Sequence, residues 1–169
     1  MNLWFRLAGV LLAAFSGKTI QFLESSKLNF RVFLNDLDIY GHMNNGRYLT
    51  LMDMGRIDWI IRTGLIRHTE RNDWKPLVGA IKVEYKKSLQ LFQPFTLVTR
   101  ILAWDEKWFY IEQTFKSGDQ LCARAIVRGL FRAANGNIPT EQVIQSLGLK
   151  VSSPPMENEL KINLPVYSE

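Results

Sequence analysis

The clearest helical pattern in the chain runs from about residue 44 to residue 63. Asn44 is a suitable N-cap for this helix, and Gly64 is a suitable C-cap. A helix drawn over the segment carries apolar side chains on most of its sides, at Tyr48, Leu49, Leu51, Met52, Ile57, Trp59, Ile60 and Ile61. Because a helix that is apolar nearly all round is buried, we expect a sheet to wrap it.

Five runs with strand character surround this helix. One precedes it, over residues 27–34, and four follow it, over residues 77–89, 95–105, 107–115 and 120–132. The breaks between the last four are short and turn-like, which favours an antiparallel meander because parallel strands need long crossovers. The pattern therefore predicts an α+β domain in which one curved antiparallel sheet of five to six strands wraps one long central helix.

The two ends of the chain differ from this middle part. A short helix is expected from Pro139 through Leu147, closed by Gly148, and the proline-containing residues 151–169 suggest an extended arm or a disordered end. We therefore divide the chain into an N-terminal apolar segment (residues 1–25), one domain (residues 26–150) and a C-terminal tail (residues 151–169).

The N-terminal segment carries an apolar run from Leu7 to Phe15. The run is too short to span a bilayer, which needs about 20 apolar residues. Trp4, Leu7, Leu11 and Phe15 fall at helical spacing, which indicates a helix that lies on a membrane surface or on the domain itself. A cleaved secretory signal is the alternative interpretation.

Composition narrows the classes of function. The 169 residues carry a formal net charge of +5, but the lysines and arginines are scattered and form no basic stripe, so we expect no nucleic-acid partner. The single cysteine, Cys122, excludes an internal disulfide framework and suits a reducing, cytoplasmic compartment. With only His42 and His68 beside that cysteine, we expect no metal site.

The candidate chemistry is concentrated in residues 35–49, NDLDIYGHMNNGRYL. Asp38 can act as a nucleophile or general base, and His42 can orient a carbonyl or a water molecule. The first turn of the helix at Asn45 leaves backbone N–H groups that can polarise a carbonyl. The set suits acyl transfer. Helix capping and turn formation account for the same residue types, and Asp36 is expected to have such a structural role.

A longer pattern around this loop carries a family resemblance. The motif D-x-D-x-x-G-H-x-N-N-x-x-Y-L over residues 36–49, followed by MDMGRIDWIIRTGL, resembles hotdog-fold acyl-CoA thioesterases of the 4-hydroxybenzoyl-CoA thioesterase type. It is also similar to plant acyl-carrier-protein thioesterases, which join an aspartate to His-x-Asn-Asn before the hotdog helix. Residues 81–115 resemble above all the thioesterase superfamily member six group, and the whole resemblance covers about residues 26–134.

The resemblance implies a hotdog fold and a homodimer whose sheets join edge to edge, with active sites at the subunit interface. It implies that Asp38 is the catalytic nucleophile or base, that His42 is the motif histidine, and that the backbone amide of Asn45 polarises the thioester carbonyl. The plant enzymes have a catalytic asparagine two residues after the aspartate, where this chain has Tyr40. An Asp–Asn–His triad is therefore not expected.

Further residues near the motif are candidates for contact with substrate. Lys86, at the end of a predicted strand beside the expected cleft, is placed to meet the phosphates of coenzyme A. The loop and the start of the helix supply the other candidates, which are Tyr40, Met43, Asn44 and Tyr48.

We therefore expect a cytoplasmic hydrolase of acyl-CoA or acyl-carrier-protein thioesters that needs no cofactor. The alternative is a non-hydrolytic acyl-CoA or lipid-binding protein on the same fold, held at the membrane surface by residues 3–15. A hotdog dehydratase is a third interpretation, although such enzymes carry a different arrangement of histidine and acid. The pattern leaves acyl chain length, carrier, and the choice between dimer and tetramer open.

Overall fold

The computed structural model describes residues 3–156. Its helices are α1 (Leu3–Ser16), α2 (Asn45–Arg62), α3 (Leu65–Arg71) and α4 (Thr140–Ser146). Its strands are β1 (Ser26–Arg31), β2 (Lys75–Tyr85), β3 (Pro94–Trp104), β4 (Phe109–Ser117), β5 (Gln120–Ala133) and β6 (Gly136–Ile138). The predicted central helix, five strands and short C-terminal helix are all present, whereas α3 and β6 were not predicted.

One antiparallel sheet curls around α2, which confirms the predicted α+β hotdog architecture. The strand order is β1-β3-β4-β5-β2, and β6 pairs with β5. Strands β3, β4 and β5 form the expected meander. The prediction of a meander is wrong for β2, which pairs with β5 at the far edge of the sheet and not with β3. A short link can cross the end of a curled sheet, so a short connection does not prove that two strands are neighbours.

The link between β2 and β3, residues 86–93, closes one end of the curled sheet. Its first amides, at Lys86 and Lys87, donate to the carbonyl of Cys122 in β5. Further along, Leu89 accepts a hydrogen bond of 2.8 Å from the Met43 amide. The link therefore contacts the end of residues 35–43, the loop in which the sequence concentrates its polar groups.

Helix α2 approaches the sheet closely at Gly55. A Cβ atom at this position would lie 2.6 Å from Thr99 Oγ1 and 2.9 Å from Leu97 Cδ2, so only glycine fits without a shift of its neighbours. The helix ends at Arg62, and the φ of +78° at Gly64 lets the chain turn into α3. The core on either side of Gly55 consists of Leu51, Met52 and Trp59 against the apolar inner face of the sheet.

Helix α1 packs against the domain, but only part of the stripe that its spacing predicted takes part, since Leu7 packs against the core. Trp4 and Phe15 belong to that stripe and are exposed, while Arg6, Val10 and Ala14 are buried. The reason is electrostatic: the guanidinium of Arg6 points inward because a buried carboxylate receives it there. Within residues 3–156, no helix is both long enough and apolar enough to cross a membrane.

The described part of the C-terminal region follows α4. This helix is capped near Leu147, and Gly148 has a φ of +71°, as the sequence predicted. Ser153 then accepts a hydrogen bond of 2.8 Å from the amide of Trp104. Most of the predicted extended or disordered tail lies outside the described residues, and the proposed division of the chain at residues 25 and 150 stays a prediction.

Candidate active site

The loop before α2 is a tight turn with a defined shape. The Gly41 amide donates to the carbonyl of Asp38 at 3.1 Å, and Gly41 has a φ of +78°. The Asp38 amide donates to the carbonyl of His42 at 2.9 Å. These bonds place Asp38 and His42 side by side at the base of the turn, with Ile39 and Tyr40 exposed at its tip.

The carboxylate of Asp38 accepts one backbone hydrogen bond and lies next to one imidazole. Its Oδ2 atom lies 3.3 Å from His42 Nδ1, and its Oδ1 atom accepts the Tyr40 amide at 2.9 Å. The Asp38 side chain nevertheless remains 21% exposed, and that of His42 remains 34% exposed. The carboxylate is therefore oriented and still accessible to a substrate or a water molecule, as a nucleophile or general base must be.

The N-terminus of α2 follows this turn directly. Asn44 caps the helix, since its Oδ1 atom accepts the Gly46 amide at 2.8 Å and its carbonyl accepts the Arg47 amide at 2.9 Å. The amide of Asn45 has no acceptor within residues 3–156. This N–H group at the positive end of an 18-residue helix can donate to a carbonyl oxygen that gains negative charge.

The predicted substrate-binding residues fall into two groups. Met43 and Tyr48 are buried in the core, and burial raises the pKa of the Tyr48 phenol to about 12. Tyr40 is exposed and stacks on the His42 ring, with centroids 6.1 Å apart. Lys86 is half-exposed and lies 2.8 Å from Glu84, a pairing that lowers the pKa of that carboxyl group. Asn44 serves as the helix cap. The substrate contacts expected of all five residues stay predictions.

One residue that the sequence interpretation missed joins the sheet edge to the site. The Tyr85 hydroxyl, at the end of β2, donates to the carbonyl of Asn45 at 3.1 Å, and its ring packs edge-on against that of Tyr48. The edge strand therefore ends at the start of α2. The sequence offered one signal for Tyr85, its position next to Lys86, which was a predicted substrate contact.

A second feature that the sequence interpretation missed is a cavity of about 270 Å³ beside the C-terminal half of α2. Its walls are mainly apolar and include Ile57, Leu77 and Val78. The polar part of its wall consists of Thr99 and the ion pair of Asp53 with Arg56, whose Nη1 atom also donates to Gln113 Oε1 at 2.7 Å. Burial lowers the pKa of the Arg56 guanidinium.

Metal-binding side chains do not cluster in the described structure. No three histidine, cysteine, aspartate or glutamate side chains of residues 3–156 lie close enough together to hold an ion. Cys122 is buried, and burial raises the pKa of its thiol, which keeps it protonated and poorly nucleophilic.

This fold, with an accessible aspartate before the central helix, defines a hotdog protein of the thioesterase type. A family model described as the thioesterase-like superfamily matches residues 32–164, so the chain belongs to that superfamily. The chain is 36% identical over 138 residues to Protein THEM6 of Danio rerio, covering 76% of this chain and 68% of that protein. These matches confirm the resemblance that the motif indicated.

Solved structures give the same fold. The YbaW probable thioesterase from Escherichia coli superposes with a TM-score of 0.67 at 18% identity, covering 72% of this chain and 94% of that one. The protein SAV2348 from Staphylococcus aureus, solved in complex with CoA, superposes with a TM-score of 0.66 at 14% identity, covering 89% and 100% of the two chains.

Proposed function

We propose that this protein hydrolyses acyl thioesters of coenzyme A, or of acyl carrier protein, and that Asp38 carries the reaction. One observation supports this most directly. An accessible carboxylate, oriented by His42 and a backbone amide, lies on the loop before α2. At the start of that helix, the Asn45 amide has no acceptor among the described residues. Membership of the thioesterase-like superfamily supports thioester hydrolysis as the reaction class.

In the proposed mechanism the oxygen of the thioester carbonyl accepts a hydrogen bond from the Asn45 amide. This hydrogen bond stabilises the oxyanion of the tetrahedral intermediate. Asp38 then acts by one of two routes. It attacks the carbonyl carbon, expels the thiolate and forms a mixed anhydride that water hydrolyses, or it takes a proton from the water that attacks. Both routes yield a carboxylic acid and a thiol. The His42 imidazole, donating through Nδ1, keeps the Asp38 carboxylate in place.

The structure of SAV2348 with CoA supports coenzyme A as the carrier on this fold. In this chain, Lys82 and Lys86 lie on or next to β2, and the strand ends where Tyr85 contacts the start of α2. Both lysines pair with the Glu84 carboxylate. Either ammonium group would exchange that carboxylate for a more highly charged partner if it bound a substrate phosphate instead.

We further propose a homodimer that forms through β2. Among the described strands it pairs only with β5, and it exposes Leu77 and Val78. An uncovered apolar edge strand is a template for pairing with a second copy. Pairing there would bring the partner close to the cavity, since both apolar residues also line it.

The proposed activity is tested by thiol release from short, medium, long and aromatic acyl-CoAs and from one acyl carrier protein thioester. The wild-type protein should turn over at least one substrate class, Asp38→Ala should abolish that turnover, and Asp119→Asn in the β4–β5 turn should not. A folded wild-type protein that releases no thiol from any substrate would overturn the proposal.

A second candidate function is non-hydrolytic binding of acyl-CoA or lipid at a membrane surface. The observation that favours it is the outward side of α1, which presents Trp4, Phe5, Leu12 and Phe15 to solvent without a charged residue. A helix with such a face can bury it at the boundary between lipid headgroups and acyl chains. A cytoplasmic protein with this helix would be peripheral to the membrane.

The membrane contact has its own test. The Phe5→Gln/Leu12→Gln variant should bind vesicles of phosphatidylcholine and phosphatidylserine at least tenfold more weakly than wild type in a sedimentation assay, because it places two amides on the apolar face. Leu23→Gln, at an exposed residue outside α1, is the matched control. Equal vesicle binding by all three proteins would contradict a membrane role for α1. In a separate assay, tight acyl-CoA binding without thiol release would favour the non-hydrolytic binding function.

A further inference from the structure

Helix α1 buries its charged side chain and exposes its aromatic ones. Arg6 is the only charged residue among Leu3–Ser16, and only 3% of it is exposed. A charged residue of a surface helix normally faces water, because burying an unpaired charge is strongly unfavourable. The inward orientation of Arg6 therefore requires a specific partner inside the domain.

That partner is Asp36, which is 2% exposed. Arg6 donates to both carboxylate oxygens, with Nη1 at 3.1 Å from Oδ1 and Nη2 at 2.5 Å from Oδ2. The Arg6 Nη2 atom also donates to the carbonyl of Arg31 at 2.9 Å. A bidentate, charge-assisted contact of this kind fixes both distance and orientation.

Asp36 in turn holds both ends of the catalytic loop, residues 37–43. Its carbonyl accepts the Asn44 amide at 2.8 Å, and its carboxylate lies 3.2 Å from Nε of Arg47 in the first turn of α2. The same carboxylate accepts the Phe33 amide at 2.9 Å before the loop. One residue, two positions before Asp38, thus ties the entry of the loop to the start of the helix.

We infer that α1 is a positioning element of the proposed active site, and that Arg6 acts on the catalytic loop through Asp36. The inference rests on the proposed thioesterase function for its kinetic consequence. Without Arg6, the buried Asp36 carboxylate keeps Arg47 as its charged partner and the Phe33 amide as a donor, and the loop that carries Asp38 and His42 loses one of its anchors. A displacement of about 1 Å at a reacting group can reduce a rate 100-fold.

The test compares Arg6→Met, Arg6→Lys, Asp36→Asn and the Arg6→Met/Asp36→Asn double variant. Ala13→Gln, at another exposed residue of the same helix, is the matched control. Two quantities are measured: kcat and KM on an acyl-CoA that the wild type hydrolyses, and deuterium uptake by the peptide that covers residues 36–44.

Arg6→Met should lower kcat about 10- to 100-fold with KM changed less than threefold, and it should raise deuterium uptake in the loop. Arg6→Lys should recover part of both losses, because it keeps the charge but not the bidentate contact. The double variant should be no slower than the slower single variant, since both changes break the same contact. Ala13→Gln should match the wild type.

A folded Arg6→Met protein with kcat within twofold of wild type and unchanged loop exchange would overturn the inference. Equal losses in Arg6→Met and Ala13→Gln would also overturn it, because they would show a general effect of α1 on stability. If Arg6→Met does not fold, Arg6→Lys decides by the same two measurements. A wild type without turnover would contradict the proposed function alone, and loop exchange would then decide the role of Arg6.

Discussion

Asp36 and Asp38 lie two residues apart and have opposite surroundings. Asp36 is buried and bound by two arginines and a backbone amide, so its carboxylate is fully used by the fold. Asp38 is accessible and has one imidazole and one amide as neighbours. The motif D-x-D alone shows two identical acids, whereas the different environments favour a structural role for the first and agree with the chemical role proposed for the second.

Tyr48 is a motif residue with two interpretations, a contact with substrate or a core residue, and its burial favours the second. The sequence indicated contact with substrate, whereas the phenol lies in the core against the rings of Tyr85 and Phe115. We expect Tyr48→Phe to leave the KM for acyl-CoA within twofold of wild type, because the hydroxyl does not reach the surface. A KM raised tenfold would show that the hydroxyl contacts substrate.

The same substitution has a consequence for stability at alkaline pH. Burial raises the pKa of the folded Tyr48 phenol to about 12, above the ordinary value of 10.0. The unfolded chain therefore ionises first, and the free energy of unfolding falls as pH rises from 10 towards 12. Urea denaturation between pH 8 and pH 11 should show a shallower fall for Tyr48→Phe than for wild type. Identical slopes would contradict this origin of the pH dependence.

Among the elements, α2 depends on one close approach to the sheet. Gly55→Ala would place a methyl group 2.6 Å from Thr99 Oγ1 and 2.9 Å from Gln113 Nε2, so the helix or these side chains must shift. We expect a loss of about 1–3 kcal/mol in the free energy of unfolding. Gly9→Ala is the control, since nothing lies within 4 Å of the added group and alanine favours a helix. A Gly55→Ala protein as stable as wild type would show that the contact relaxes freely.

Periodicity predicted α2 well and α1 poorly, for a physical reason. Helix α2 is apolar nearly all round, so any orientation of it predicts burial. Helix α1 is also apolar on several sides, and its orientation depends on where the charge of Arg6 is neutralised. That requires knowledge that Asp36, 30 residues later, is buried beside it. A contact of this range leaves no periodic signal.

At the scale of the whole molecule, β2 lies at one edge of the sheet, the edge at which the proposed dimer would form. Placing it at the far edge of the sheet could not be predicted from an eight-residue link, because that link can join neighbouring strands or cross the end of a curled sheet. The cavity escaped prediction for the same reason, since part of its wall comes from β2, whose place in the sheet was not predicted.

The proposed dimer gives a prediction about this edge. Leu77→Lys/Val78→Lys should convert the dimer to a monomer in light scattering coupled to size exclusion, because two charges would have to be buried at the strand edge. Leu23→Lys, at an exposed residue away from β2, should leave the mass unchanged. A wild type that is monomeric, or a double variant that remains dimeric, would contradict pairing through β2.

The most direct test of the central claim is steady-state thiol release by Asp38→Asn beside the wild type, on the best acyl-CoA. The amide is nearly isosteric with the carboxylate, and it can neither attack a thioester nor take a proton from water. We predict that kcat falls at least 1000-fold while the protein remains folded and dimeric. An Asp38→Asn protein that hydrolyses at the wild-type rate would contradict the assignment of Asp38 as the catalytic residue.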